Sequence, residues 1–206
     1  MATTRIQIGP ADHGRRMTLD EFREADEEPG YRYELARGVL EVTHVPNDPH
    51  WQIVDNLREK ISTYRRDHPG VILRVGGGGE CRVWVPEMVS GRNPDVAVVL
   101  KGTPKDDSGR LPPSLVAEVV SEGGEVRDYQ TKREEYLVYG VREYWIIDPS
   151  DRQVTVCVRQ DVPGPPAWVE RVFRGAEPIA SPLLPGFAAT VADLWTDAEL
   201  DGGTET

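Results

Sequence analysis

Two apolar segments in the middle of the chain constrain its fold most: PDVAVVL from Pro94 to Leu100, and SLVAEVVS from Ser114 to Ser121. Both have apolar residues on odd and even positions alike, as a strand covered on its two faces requires, although periodicity alone does not separate so short a run from a buried helix. The loop between them is rich in Gly, Pro, Asp and Ser, which favours two neighbouring central strands. One residue breaks the pattern. Glu118 shares a strand face with Val116 and Val120, and a carboxylate there needs a cation or a proton, because an unpaired charge in an apolar setting is costly.

The surrounding elements follow from capping and periodicity. Thr18 and Glu21 have capping-box spacing and open a short helix to about Glu27, after which Pro29-Gly30 leads into a hairpin from Tyr31 to Val45. Asp48-Pro49 starts a longer helix to about Asp67, with Ile53, Val54, Leu57, Ile61 and Tyr64 on one face. VILRV and CRVWV read as strands around a flexible connection of four glycines, Gly76 to Gly79. Beyond Glu118 the spacing predicts a helix from about Arg127 to Tyr139 capped by Gly140, then strands EYWIIDP and QVTVCVR, a last strand WVERVF, and a short helix from Thr190 to Trp195. The expected architecture is one α/β domain, an α+β mixed sheet with flanking helices and extra hairpins. It spans residues 17–196, between a flexible segment 1–16 and an acidic tail 197–206.

Composition narrows the function classes. Lys plus Arg number 24 against 35 Asp plus Glu, a net charge of −11, so contact with nucleic acid has to be local rather than a property of the whole surface. No apolar run approaches the ~20 residues of a membrane span. The chain start lacks an apolar signal region, and Cys81 and Cys157 have neither metal nor redox spacing, so a cytoplasmic protein is expected. There is no G-x-S-x-G elbow and no P-loop, and the glycine run lacks the spacing of a dinucleotide site.

The chemistry gathers around Glu118. Asp95 opens the preceding strand and would lie beside Glu118 if the two strands are neighbours, and two carboxylates completed by water and phosphate are a typical Mg²⁺ set. Asp128, Lys132 and Tyr136 recur at spacings of four on one helix face, from which Lys132 can reach back to the acids, orient a water, take its proton or stabilise charge on phosphate. The same spacing also describes an i,i+4 surface pair worth ~0.3–0.5 kcal/mol.

These residues resemble the PD-(D/E)xK nuclease superfamily, with the lysine displaced: the position two after Glu118 is Val120. The fuller pattern is similar to the Uma-two family of restriction endonuclease-like proteins, in which the lysine comes from the following helix. The match runs through MTLDEF, YELARGVLEV, the PxxxH element from Pro46 to His50, PDVAVV, LVAEVVS and RDYQTKREEYLVYGVREYWIID. The resemblance implies a restriction endonuclease-like core and a Mg²⁺ (or Mn²⁺) ion held by Asp95, Glu118 and Glu34. It gives Lys132 the displaced role. Glu34 on its own would read as a solvent-facing hairpin glutamate. His50, Asp128, Gln130 and Ser121 form a second tier; His50 reads equally as a phosphate contact or as a capping or exposed histidine. The sequence departs from the family after Ser121, where Glu122-Gly123-Gly124-Glu125 stands in place of Pro and small hydroxyl residues, implying a more mobile loop and unsettling how Asp128 and Lys132 reach the metal.

The leading expectation is therefore a metal-dependent endonuclease hydrolysing nucleic acid, DNA first, with Arg58, Lys60, Arg65, Arg66, Arg74, Arg82 and Arg92 as candidate contacts on one positive face. A helix run such as Arg58 to Arg66 is also what a solvated surface looks like. A homodimer through the late strands and Trp168 would supply two active sites for a duplex. The alternative is a catalytically silent nuclease fold serving as a regulatory or protein-interaction module, which fold alone does not separate from an enzyme.

Overall fold

The structure, a computed structural model, describes residues 5–44, 48–106, 109–161 and 163–196. Pro46 of the PxxxH element and the tail from 197 lie outside the described residues. In chain order the strands and helices are β1 (Gln7–Ile8), α1 (Leu19–Glu24), β2 (Asp26–Glu27), β3 (Tyr31–Ala36), β4 (Val39–His44), α2 (Asp48–Asp67), β5 (Ile72–Gly76), β6 (Val83–Val85) and β7 (Ser90–Arg92). They continue with β8 (Val96–Leu100), β9 (Leu115–Val119), α3 (Lys132–Tyr139), β10 (Glu143–Asp148), β11 (Gln153–Gln160) and β12 (Ala167–Arg174). A six-stranded sheet has the order β12-β11-β10-β9-β8-β5, and a separate four-stranded sheet the order β4-β3-β7-β6. The architecture is mixed α+β.

The two apolar segments are central strands. β9 pairs in parallel with β10 and antiparallel with β8, so it is ladder-bonded on both edges. Its two faces meet different partners. Leu115, Ala117 and Val119 pack with Ile53, Leu57 and Ile61 of α2 and with Phe187, Val191 and Leu194 of the closing segment. Val116 and Val120 belong to a second cluster under α3, with Tyr136, Tyr144 and Ile146. A third, smaller core lies between α1 and the four-stranded sheet, where Phe22, Tyr33, Leu35 and Leu40 are buried.

Several expectations are corrected by tertiary pairing. CRVWV and the first hairpin do not join the main sheet; they form the four-stranded one with β7, an unforeseen strand from a loop-like SGR segment. The first helix stops at Glu24 because Asp26–Glu27 pairs with β1. From residue 5 the N-terminal segment is docked rather than free, with Ile8 buried and the Gly14 N–H donating to Leu40 O at 2.8 Å. The closing helix is a 3-10 turn at Ala192–Trp195. Trp168 lies against α3, its Nε1 donating to Arg133 O at 2.9 Å, instead of projecting into solvent. Among the described residues no helix is long and apolar enough to cross a membrane.

Candidate active site

The strand register brings the two predicted acids together. β8 and β9 pair Val96 with Ala117 and Ala97 with Val116, and one step further the same register sets Asp95 opposite Glu118 on the α3 face. The Val119 N–H fixes Asp95 from the neighbouring strand, donating to Oδ2 at 2.8 Å. Lys132 arrives from above. Its Nζ is 3.0 Å from Glu118 Oε1, 3.4 Å from Asp128 Oδ1 and 3.5 Å from Glu34 Oε2, and Tyr136 donates its hydroxyl to Glu118 Oε1 at 2.6 Å. The spacing of four therefore describes an inward face, not a surface pair: Asp128, Lys132 and Tyr136 are all buried.

A π-helical turn at Arg127–Thr131 leads into α3, with the Lys132 N–H donating to Arg127 O, five residues back. Such turns widen the helix locally and re-aim the side chains after them. The EGGE loop closes tightly ahead of it. The Gly124 N–H donates to Ser121 O at 2.8 Å, and a Cβ on Gly124 would stand 2.9 Å from that oxygen, so the departure from the family pattern still delivers Asp128 and Lys132 to Glu118.

Electrostatics differ sharply among the acids. Burial pushes the Glu118 carboxyl up, Lys132 pulls it down, and Asp95, Glu34 and Asp128 push it up again, to about 8. Burial alone would raise Glu34 too, but Lys132, Arg92 and the Asn93 N–H outweigh it and bring it to about 2. For Asp95 burial is likewise overcome, by His50 and Arg32, and the carboxyl is held well below the usual range. Lys132 loses solvation yet faces Glu118, Glu34 and Asp128, which hold its proton more tightly than usual.

Glu34 comes from the face of β3 opposite Tyr33 and Leu35. Its Oε1 accepts from the Asn93 N–H at 2.7 Å and its Oε2 from Arg92 Nη1 at 3.2 Å. Arg92 is the largest correction to the predicted basic face: it is 0 % exposed and also bonds Glu41 at 2.5 Å and Glu135 at 2.6 Å. It knits β3, β4 and α3 together and has no reach to a nucleic acid. Arg82 is also occupied, bonding Glu27 and Asn93 at 2.8 Å each over the Phe22 and Trp84 rings. Lys60 pairs with Asp193 at 2.9 Å, while Arg65 and Arg66 are exposed near the end of α2. Ser121 accepts from Arg127 Nη2 at 2.7 Å, and Gln130 is exposed to solvent.

On the other side of Asp95 stands a group that sequence reading recognised only in part. Arg32 Nη2 donates to Asp95 Oδ1 at 2.7 Å, His50 Nε2 lies 3.2 Å from Oδ2 without hydrogen-bond geometry, and Arg58 Nη2 donates to the Asp95 carbonyl at 2.8 Å. Arg32 was missed. The signal was the alternation of YRYEL, which puts Arg32 on the same face as Glu34. The glycine run serves this corner: a Cβ on Gly77 would stand 2.1 Å from Asp95 O and 2.2 Å from Arg58 Nη2, so close approach of backbone is what the position demands. A surface groove of about 1070 Å³ lies elsewhere, lined among others by Arg74, Trp84, Lys105 and Tyr139 and by none of the four acids.

The donor set fits a hard divalent ion in its chemistry. Asp95 and Glu118 are opposed carboxylates, and the surplus of acids around Glu118 is what raises its proton affinity. Among the described residues no three His, Cys, Asp or Glu side chains are grouped so as to hold a metal ion.

Comparison with known proteins bears on the fold and the family. The fold matches a crystal structure of "a putative nuclease belonging to DUF820 from Anabaena variabilis", with a TM-score of 0.68, 19% identity, and coverage of 88% of this chain and 99% of that one. No curated protein matches the chain. Residues 19–192 match the Uma2 family, described as "Putative restriction endonuclease". With most of its length accounted for by that match, the chain belongs to the Uma2 family.

Proposed function

We propose that the protein is a metal-dependent endonuclease that hydrolyses phosphodiester bonds of nucleic acid, DNA in the first place, in the cytoplasm. The observation that carries this reading is the opposition of Asp95 and Glu118 under Lys132, with Nζ 3.0 Å from Glu118, in a member of this family. Asp95 and Glu118 would hold Mg²⁺ or Mn²⁺, which when bound supplies an activated water and neutralises charge on the phosphodiester. Lys132 keeps its proton among three acids, so its part is to orient the attacking water and stabilise developing negative charge, not to abstract a proton. Glu34 has both oxygens engaged by Asn93, Arg92 and Lys132, and we assign it to positioning Lys132 in place of the ligand role expected from sequence. A dimer would form along β12, one of the two edge strands of the main sheet, and sedimentation would show it.

The test is cleavage of single-stranded DNA, duplex DNA and RNA with Mg²⁺ or Mn²⁺ against chelator. Asp95→Ala, Glu118→Ala and Lys132→Ala should each lower the rate by about 10²-fold or more. Metal-independent cutting, or cutting equal in all variants, contradicts the assignment. One observation favours a second reading, a silent fold acting through protein contacts: Lys132 is bonded directly to Glu118, and both are almost fully buried. Absence of cutting on every substrate would select it.

A further inference from the structure

The two sides of Asp95 are electrically unlike. Toward α3, one ammonium, Lys132, is shared by three carboxylates. Toward α2, two guanidinium groups and an imidazole converge on Asp95 alone, with Glu118 and Glu34 acting on Arg32 only at longer range.

That second side is also short of partners. His50 is only 8 % exposed, yet neither ring nitrogen has a hydrogen-bond partner. The Arg58 Nε is buried and unpartnered as well. Buried polar groups in native proteins are nearly always satisfied, so His50 Nδ1 and Arg58 Nε, unpartnered on two side chains whose other nitrogens face Asp95, leave hydrogen-bonding capacity for a further acceptor. The Arg32 side chain retains 23 % exposure, which gives a ligand a way in. Gly77 leaves no room for any side chain that would displace Arg58.

From this geometry we propose that Arg32, Arg58 and His50 form an anion pocket that takes a phosphate group of the nucleic-acid strand, on the opposite side of Asp95 from Lys132. The inference rests on the nuclease reading for the identity of the polymer that carries the phosphate. It deepens that reading by placing the strand: the backbone enters over α2 and β3. A protein of net charge −11 can then hold a polyanion locally, through the three side chains that converge at this corner.

The pocket has a consequence that a merely structural ion cluster lacks. Asp95 is the acid that occupies Arg32, so removing its charge should free the pocket for phosphate while abolishing cleavage. The experiment is fluorescence anisotropy of a labelled single-stranded DNA oligonucleotide in chelator, across a salt series. Asp95→Asn should tighten binding by about tenfold, and the added Arg32→Gln change should cancel the gain. His50→Gln and Arg58→Gln should each weaken wild-type binding by about threefold or more and lower the salt slope, by about 0.7 for each phosphate no longer neutralised. Thermal unfolding checks each variant; Arg58→Lys keeps the charge and should retain most of the binding, and if Arg58→Gln does not fold, the His50→Gln and Asp95→Asn/Arg32→Gln arms carry the test. Unchanged or weakened binding in Asp95→Asn, or no effect of the charge- or donor-removing Gln substitutions, overturns the pocket. Binding that follows this pattern without any metal-dependent cutting would sink the nuclease reading and leave the pocket standing; cutting without the pattern would do the reverse.

Discussion

The two faces of β9 differ by one charged residue, Glu118, which sets an apolar layer on one side against a charged cluster on the other. Toward α2 the strand shows Leu115, Ala117 and Val119, and that face is closed by an unbroken apolar layer. Fully burying an aliphatic or aromatic side chain contributes about 1.5–3 kcal/mol, so this layer is where the fold is held. Toward α3 the strand shows Val116, Glu118 and Val120, and the layer is interrupted by charge. Removing two charges from water costs several kcal/mol per ion before their attraction offsets it, so this side adds little net stability. A period of two lets one short strand serve both ends.

The comparison can be broken most forcefully on the apolar side. Trp145→Ala removes a side chain with no exposure and should cost about 3–5 kcal/mol in chemical denaturation, while cleavage per folded molecule stays near wild type. A large loss of specific activity at full folding would mean that the faces are not separable. Next comes Lys132→Met, which leaves Glu34 and Asp128, together with the Glu118 carboxyl, around an uncharged chain. It should destabilise by about 3 kcal/mol at neutral pH and abolish cutting, and unchanged stability would show that the cluster does not depend on its ammonium.

A smaller effect sharpens the electrostatics. Glu118 is held up to about 8 in the folded chain, above its ordinary value, so folding favours its protonated form. Its contribution is fully present below about pH 4.5 and is lost as pH rises through 8. Glu34, brought down to about 2, works in the opposite sense: its contribution is present above about 4.5 and lost as pH falls through 2, outside that window. Wild-type stability should therefore decline relative to Glu118→Gln between about pH 5 and 8, followed by thermal melts; parallel curves would remove Glu118 as the source. Least of all, Arg65→Ala and Arg66→Ala should shift the stability followed by thermal melts by less than about 0.5 kcal/mol, since both side chains are exposed near the end of α2.

What the sequence made legible follows the same division. α2 was readable to its bounds because its apolar stripe is dictated by a 3.6-residue period, and Asp95, Glu118 and Lys132 were readable because strand and helix periods put each on a definite face. Arg92 was not. In SGR nothing distinguishes a surface arginine from a buried one, and its burial is decided by Glu34, Glu41 and Glu135, which three other elements bring to it. Arg32 was hidden for a related reason: the polar face of a hairpin ordinarily meets water, and only the packing of β3 beside β8 turns it onto Asp95. The π-helical turn at Arg127–Thr131 has no sequence signature of its own. The second sheet escaped because β7, the strand that joins the hairpin to β6, is three residues long, too short for alternation to register.

The most direct test of the central claim is calorimetric titration of Mn²⁺ into the protein without nucleic acid, for wild type, Asp95→Asn and Glu118→Gln. The account predicts saturable binding by wild type and its loss in both variants, as two opposed carboxylates require. No binding by wild type, or equal binding by all three, would contradict it and leave the acids as a buried ion-pair cluster.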